Sequence, residues 1–319
     1  MTSAPHSAAL GSHYRAFGLP LSSSFELPGL RPAPSASGAL GLTLSPRTAV
    51  ERLWSGGDRD PVWTAAIDGR PCATRLGRSG DYLMSYGDDA LFLLSSDRRH
   101  LRCAPLKRPS APWQRFLLDT VLWSASSLGG IELLHASAVL GDAGVVAFAG
   151  FSGGGKTSLA AELVRRGARL FADDILAVPP TRSELRGHPG PGLMNVPRTH
   201  GDPAELGTVL ARFDTEDWVS VERAASKPHL LVALCLLRRR AGAGPAMRRL
   251  APNVLDVLPF AVGFPHLRGR SRQRFVHYAR LAAEVPVYEL LAPFGAGPAA
   301  IADIVEPLVF GASPRERAA

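Results

Sequence analysis

The segment Gly150-Phe151-Ser152-Gly153-Gly154-Gly155-Lys156-Thr157 constrains this chain more than any other. It fits Gly-x-x-x-x-Gly-Lys-Ser/Thr, a loop that must sit between a strand and a helix to work. Both flanks are present. The apolar run Val145–Ala149 reads as a strand, and an amphipathic stretch with Leu159, Leu163 and Val164 on one face reads as a helix closed by Gly167. The glycines allow a tight turn whose N–H groups aim inward at phosphate oxygens. Lys156 is placed for the β and γ phosphates, and the Thr157 hydroxyl suits Mg²⁺. The helix directs its positive end at the same anion. A glycine-rich turn with a chance lysine is the bland alternative, and the order strand, loop, helix speaks against it. The candidate nucleotide-binding set is Gly150, Ser152, Gly153, Gly154, Gly155, Lys156, Thr157 and Ser158.

Lysine usage adds weight. Of 36 basic residues, lysine occurs at Lys107, Lys156 and Lys227 alone, against a background rich in arginine. An ammonium and a guanidinium are not interchangeable, so a retained lysine carries information. Lys227 precedes Pro228 and the apolar run 230–237, and is read either as a phosphate contact or as a surface charge.

Ala168–Ala172 reads as a short strand ending in Asp173-Asp174. A right-handed crossover sets it parallel to Val145–Ala149, with the two carboxylates beside the phosphate loop. One suits Mg²⁺ and the other suits taking a proton from an attacking hydroxyl; the bland reading is a turn. Upstream, Ile131–Val139 and Val145–Ala149 flank Gly141-Asp142-Ala143-Gly144, which predicts an antiparallel hairpin with His135 opposite about Phe148. A histidine there is either a partner for a carboxylate or the γ-phosphate, or a hydrogen-bonded core residue.

The rest of the chain sets the frame. At 319 residues and 46% apolar composition it has room for one large or two ordinary domains with a real core. No apolar run is long enough for a membrane helix, and the first residues lack the pattern of a secretory signal. Cys72, Cys103 and Cys235 lie far apart with no metal-ligand spacing, so neither a zinc site nor a disulfide framework is expected, and the default compartment is cytoplasmic. The net charge of +8 is read as arginine bias rather than as a nucleic-acid footprint, because only three of the 36 basic residues are lysine in a chain rich in Ala, Gly and Pro. Residues 13–110 show short apolar stretches between turn residues and predict a β-rich N-terminal domain, with 22–48 irregular; 111–310 form the loop-bearing domain, and 1–12 and 311–319 are tails. Trp113–Leu128 reads as a helix, Leu230–Leu237 as a buried strand, Phe275–Ala283 as a helix, Val285–Leu291 as a strand and Ala299–Leu308 as a last helix. Arg238-Arg239-Arg240 is read as a solvated strand end, and Arg268–Arg274 as a basic loop, either solvated or contacting nucleotide or peptide.

Leu134-His135-Ala136-Ser137-Ala138-Val139, the Gly150–Thr157 loop, Arg166-Gly167-Ala168-Arg169-Leu170 and Ala172-Asp173-Asp174 together resemble the HPr kinase/phosphorylase catalytic domain in order and spacing. The resemblance is specific over 131–178. It implies an α/β fold with a mixed sheet of the phosphoenolpyruvate-carboxykinase-like kind, and an ATP- and Mg²⁺-dependent kinase acting on serine hydroxyls. His188–Leu193, Tyr14–Leu19 and Glu284–Tyr288 resemble a subgroup found with peptide natural products, some of whose members phosphorylate a serine of a lasso precursor peptide. The resemblance implies Asp173 as general base with His135 as its partner, and Asp174 with Thr157 on Mg²⁺. One departure stands out. The family's Glu-Ile-Arg-Gly-Leu-Gly segment has as its nearest text Glu184-Leu185-Arg186-Gly187, only ten residues after Asp174. This weakens HPr itself as substrate and any phosphorylase activity. The expected partner is a peptide or small protein bearing serine; a carrier protein or small hydroxyl metabolite as acceptor, and an ATP-binding sensor without transfer chemistry, are the alternatives. Oligomeric state is left open.

Overall fold

The computed structural model describes residues 11–57, 60–107, 111–199, 201–242, 244–264 and 266–311. The expected tails lie outside these apart from residues 11, 12 and 311. The chain forms two compact units, one of residues 1–15 and 19–121, the other of 16–18 and 122–319.

Among the described residues the first unit holds an eight-stranded sheet. Its elements are β1 (Ser12–Ala16), β2 (Leu19–Ser23), β3 (Leu40–Leu44), helix α1 (Arg47–Leu53), β4 (Trp63–Ile67), β5 (Arg70–Leu76), β6 (Tyr82–Tyr86), β7 (Ala90–Leu94) and β8 (His100–Pro105). The spatial order is β1-β2-β3-β8-β7-β6-β5-β4. β6 alternates strictly, with Tyr82, Met84 and Tyr86 buried. β7 is buried on both faces because α1 packs Val50 and Trp54 over Leu91, Leu93 and Ala104. The segment 22–48, expected to be irregular, contains β3, whose Leu40 and Leu42 are buried. Its Ser and Pro content hid a period-two pattern of leucines.

The helix expected over 113–128 forms as α2 (Ala111–Phe116), a π turn (Leu117–Val121) and α3 (Leu122–Leu128). Gly129 and Gly130 end it, the latter at φ 97°.

The second unit continues with β9 (Leu133–Leu140), β10 (Val145–Ala149), α4 (Lys156–Arg165), β11 (Arg169–Ala172), β12 (Ile175–Ala177), β13 (Arg186–Gly187), β14 (Leu193–Pro197), β15 (Gly207–Arg212), β16 (Glu216–Val221), β17 (His229–Arg239), β18 (Ala246–Arg249), α5 (Val254–Val257), β19 (Ala261–Val262), α6 (Ser271–Glu284), β20 (Val287–Ala292) and α7 (Pro298–Phe310). The main sheet runs β11-β9-β10-β17-β20-β18, with β12, β13 and β19 at its margins, and β14-β16-β15 form a separate sheet. It is mixed: β9 is antiparallel to β10 and β11, while β10, β17 and β20 are mutually parallel. β11 therefore runs parallel to β10, as the crossover predicts, with β9 between them.

Two cores explain why β10 reads Val-Val-Ala-Phe-Ala. Val146 and Phe148 join Val139 under α4 and α7, against Leu159, Leu163, Ile301 and Val305. Val145, Ala147 and Ala149 face the other way, with Leu234, Leu236, Tyr278 of α6 and Phe260. Helices on both faces make a three-layer α/β unit. Among the described residues no helix is long and apolar enough to cross a membrane, and Cys72, Cys103 and Cys235 are buried free thiols.

Two expectations are corrected here. The hairpin register pairs Phe148 with Ser137 rather than with His135, because the whole four-residue stretch Gly141–Gly144 forms the turn, closed by Gly141 N–H on Gly144 O. His135 pairs instead with Ile175 of β12. Arg268–Arg274 is not a loop: it is a 3₁₀ turn running into the first turns of α6. Arg270 donates to Ser127 O, and Arg274 bridges Glu132 and Val262 O.

Candidate functional site

The site is built where β10 ends and α4 begins. Gly153 and Gly155 adopt φ of 74° and 97°, a region L side chains enter only with strain. Gly155 is the residue preceding α4, and a Cβ there would meet Arg239 Nη2 at 2.6 Å. That arginine was expected to cap a solvated strand end. Instead it is half-buried and donates to the carbonyls of Gly154, Pro293 and Ala296. It ties the glycine loop to the segment following β20. After α4, Gly167 at φ 114° lets its own N–H and that of Ala168 return to the carbonyls of Val164 and Leu163.

Lys156 and Thr157 open α4. Lys156 is buried, and its Nζ lies 3.4 Å from Phe151 O. Burial pushes its ammonium below the ordinary range, while the charges of Asp174 and Asp173 oppose that shift.

The aspartates arrive from the turn between β11 and β12. Both strands pair with β9, and carrying that register through the turn sets Asp173 level with Ser137. Ile175 N–H closes the turn on Asp173 O, and Asp174 sits at φ 65°. Aspartate tolerates that conformation better than most residues, at a cost typical of functional sites.

The two carboxylates have different surroundings. Asp173 Oδ1 accepts from Thr157 Oγ1 and Ser137 Oγ, each at 2.9 Å, and its Oδ2 accepts from Asn195 N–H at 3.0 Å. Burial and the neighbouring Asp174 charge raise its pKa from 3.8 to about 6, against the pull of these three donors. Asp174 projects outward, with 61% of its side chain exposed, and His135 Nε2 lies 3.4 Å from its Oδ1. Ser137 bridges the pair: its hydroxyl donates to Asp173 and accepts from Asp174 N–H at 3.5 Å.

The structure thus brings Lys156, Thr157, Asp173, Asp174 and His135 together, but with the partners exchanged relative to the family-based assignment. Thr157 touches Asp173, and His135 touches Asp174. The β9 register explains the exchange, since it holds Ser137 against Asp173 and leaves His135 two residues further along, level with Ile175 and beyond Asp174. Lys227 is exposed and is not brought to the loop. The parallel register of β17 on β10 sets Leu231 with Val145 and Leu236 with Ala149, so Lys227 precedes the end of the strand remote from Gly150. Glu184 is exposed and pairs with Arg186.

Two groups escaped the sequence reading. Ser137 carried a usable signal, since it lies two residues from His135 and so on the same face of β9. Asn195 contributes its backbone N–H, which no side-chain pattern reveals.

The donor set fits Mg²⁺ bound alongside a nucleotide. Among the described residues no cluster of three or more His, Cys, Asp or Glu side chains forms, so there is no all-protein cage. Mg²⁺ ordinarily takes one or two carboxylates and completes its shell with phosphates and water, which the Thr157 hydroxyl and the Asp173 carboxylate provide for.

No family model matches this chain, and no curated protein matches it. Among solved structures it is similar to the Hpr(Ser) kinase/phosphatase from Coxiella burnetii, at 16% identity and a TM-score of 0.31, covering 55% of this chain and 95% of that one. At that identity and score the likeness assigns neither activity nor residues to this chain.

Proposed function

We propose that this protein is an ATP- and Mg²⁺-dependent kinase that transfers the γ-phosphoryl group to a hydroxyl. The observation that carries this reading is the convergence of Lys156, Thr157 and both aspartates on the N-terminal end of a helix preceded by a glycine loop. Loop N–H groups, the helix end and the Lys156 ammonium cradle the phosphates. Thr157 and Asp173 are the residues that would hold Mg²⁺, which would supply positive charge against the phosphates. Asp174 is the general base: it is exposed to an incoming acceptor, oriented by a strained turn, and backed by His135. Asp173 is less accessible to an acceptor than Asp174, and its carboxylate is held beside the Thr157 hydroxyl, where the metal is placed.

By the sequence resemblance the acceptor is a serine of a peptide or small protein, with a ribosomally made precursor peptide as the foremost candidate. The chain's first unit is the candidate for acceptor recognition.

The test is a pair of conservative variants. Asp174→Asn binds Mg-ATP with unchanged affinity in calorimetry and loses transfer by at least about a hundredfold, the scale of a lost general base. Asp173→Asn loses the Mg²⁺-dependent part of ATP binding. If instead Asp173→Asn binds Mg-ATP normally and only transfer fails, the roles revert to those implied by the family resemblance.

A further inference from the structure

The three most exposed large apolar side chains among the described residues are Phe294, Phe151 and Leu255, at 76%, 73% and 68%. Scattered single apolar residues on a surface need no explanation, but a convergent set does. All three line one cavity of about 560 Å³, whose remaining wall includes Phe260, Arg238 and Asp256. The phosphate loop forms one side of it through residues 151–154.

The position follows from the topology. β10, β17 and β20 are parallel, and the cavity is lined from just beyond their carboxyl ends: Phe151 after β10, Arg238 and Arg239 at the end of β17, Phe294 after β20. Ligands of open α/β sheets bind in that crevice. The walls are also fixed relative to one another. Arg239 links the loop carbonyl of Gly154 to those of Pro293 and Ala296, which bracket Phe294. Phe151 and Phe260 pack as a tilted pair, with centroids 5.6 Å apart and an interplanar angle of 52°.

We propose that this cavity is the purine-nucleoside subsite: the base stacks on the ring of Phe294 against the Phe151–Phe260 pair, while the phosphates run back into the glycine loop. The inference rests on the proposed nucleotide-dependent activity and adds where the nucleoside goes. The volume lies within the range of small-ligand pockets. The chemistry fits a heteroaromatic base with a polar edge. Aromatic and aliphatic carbons supply the flat faces, and Asp256 and Arg238, whose carboxylate and guanidinium lie 3.7 Å apart, supply an acceptor beside a donor. A purine edge presents the complementary pair, an amino donor beside a ring nitrogen or carbonyl acceptor. An acceptor peptide has no need to share a wall with the loop on the side away from Asp174, so it is the less favoured occupant.

The test separates the subsite from the phosphate cradle with two probes, Mg-ATP and magnesium tripolyphosphate, measured by calorimetry on the full chain. Phe294→Ala and Leu255→Ala change exposed side chains, so both proteins should melt at the wild-type temperature. Base–aromatic stacking lost on truncation corresponds to roughly tenfold in affinity or more. The expected result is a loss of about tenfold for Mg-ATP in Phe294→Ala, a smaller loss in Leu255→Ala, and unchanged tripolyphosphate affinity in both. Mg-ATP affinity unchanged in both variants, or equal losses for the two probes, overturns the subsite while leaving the kinase reading intact. Wild-type protein that binds neither probe overturns both.

Discussion

Replacing Asp173 by asparagine should make the unliganded protein more stable at neutral pH. Burial and the Asp174 charge raise the Asp173 pKa from 3.8 to about 6, so the native state resists ionising this group. At about 1.4 kcal/mol per pKa unit, the ionised carboxylate costs the fold up to about 3 kcal/mol at pH 7.5. The side chain is half-buried rather than enclosed, which makes this an upper bound. The sign follows from linkage. The raised acid stabilises the fold below its unfolded pKa, and that contribution disappears as pH rises through about 6. Asparagine avoids the ionisation. Its carbonyl can accept from Asn195 N–H, and its amide can donate to the Thr157 and Ser137 hydroxyls, which rotate to accept. The assay is urea unfolding of wild type and Asp173→Asn without nucleotide. The expected gap is up to about 3 kcal/mol at pH 7.5, narrowing to about 1 kcal/mol at pH 4.5. A destabilised variant at pH 7.5, or a gap that does not narrow in acid, would refute the reasoning.

Other perturbations test other parts of the site. Gly153→Ala and Gly155→Ala both force a left-handed alanine, costing about 1–2 kcal/mol, but only Gly155→Ala also collides with Arg239; urea unfolding and Mg-ATP calorimetry should show the second as the more damaging in both respects, and equal effects would remove the Arg239 tether from the account. Arg239→Ala deletes three hydrogen bonds to carbonyls, and unfolding should show a loss of about 2–4 kcal/mol, since such charged donors each contribute roughly 1.5–3 kcal/mol non-additively. Lys156→Ala should fold normally and lose Mg-ATP and tripolyphosphate binding together. His135→Ala should lower kcat with little change in KM for ATP, and a change in KM alone would place it with the phosphates.

Much of the second unit was legible because its signals are local. Val145–Ala149 is apolar on both faces, the glycine spacing admits few alternatives, and Asp173-Asp174 follows a strand of readable length. What was not legible depends on register and on long-range contacts. Taking the hairpin centre one residue too early misplaced the partner of Phe148 by two residues, His135 for Ser137, since moving the centre by one moves every partner by two. Which aspartate the histidine reaches is set by the pairing of β9 with β11 and β12, where His135 pairs with Ile175. The Arg238–Arg240 run looked like three solvated charges, yet Arg239 is drawn inward by carbonyls more than fifty residues away in sequence. Arg268–Arg274 looked like a loop because its arginines obscure helical periodicity, whereas Arg274 pairs with the buried Glu132. The sheet β14-β15-β16 was missed apart from the region of Leu193, because its members do not alternate: Leu193-Met194, Val209-Leu210 and Trp218-Val219 are adjacent apolar pairs that break the period of two.

The central claim is phosphoryl transfer from a nucleotide held at Lys156 and Thr157. Its most direct test is intact-mass spectrometry of candidate acceptors after incubation with Mg-ATP: peptides ending in serine, an HPr-type carrier and free serine, each with wild type and with Asp174→Asn. The account predicts one added phosphate on an acceptor with wild type and none with Asp174→Asn. Wild-type protein that binds no Mg-ATP and modifies no acceptor would contradict it.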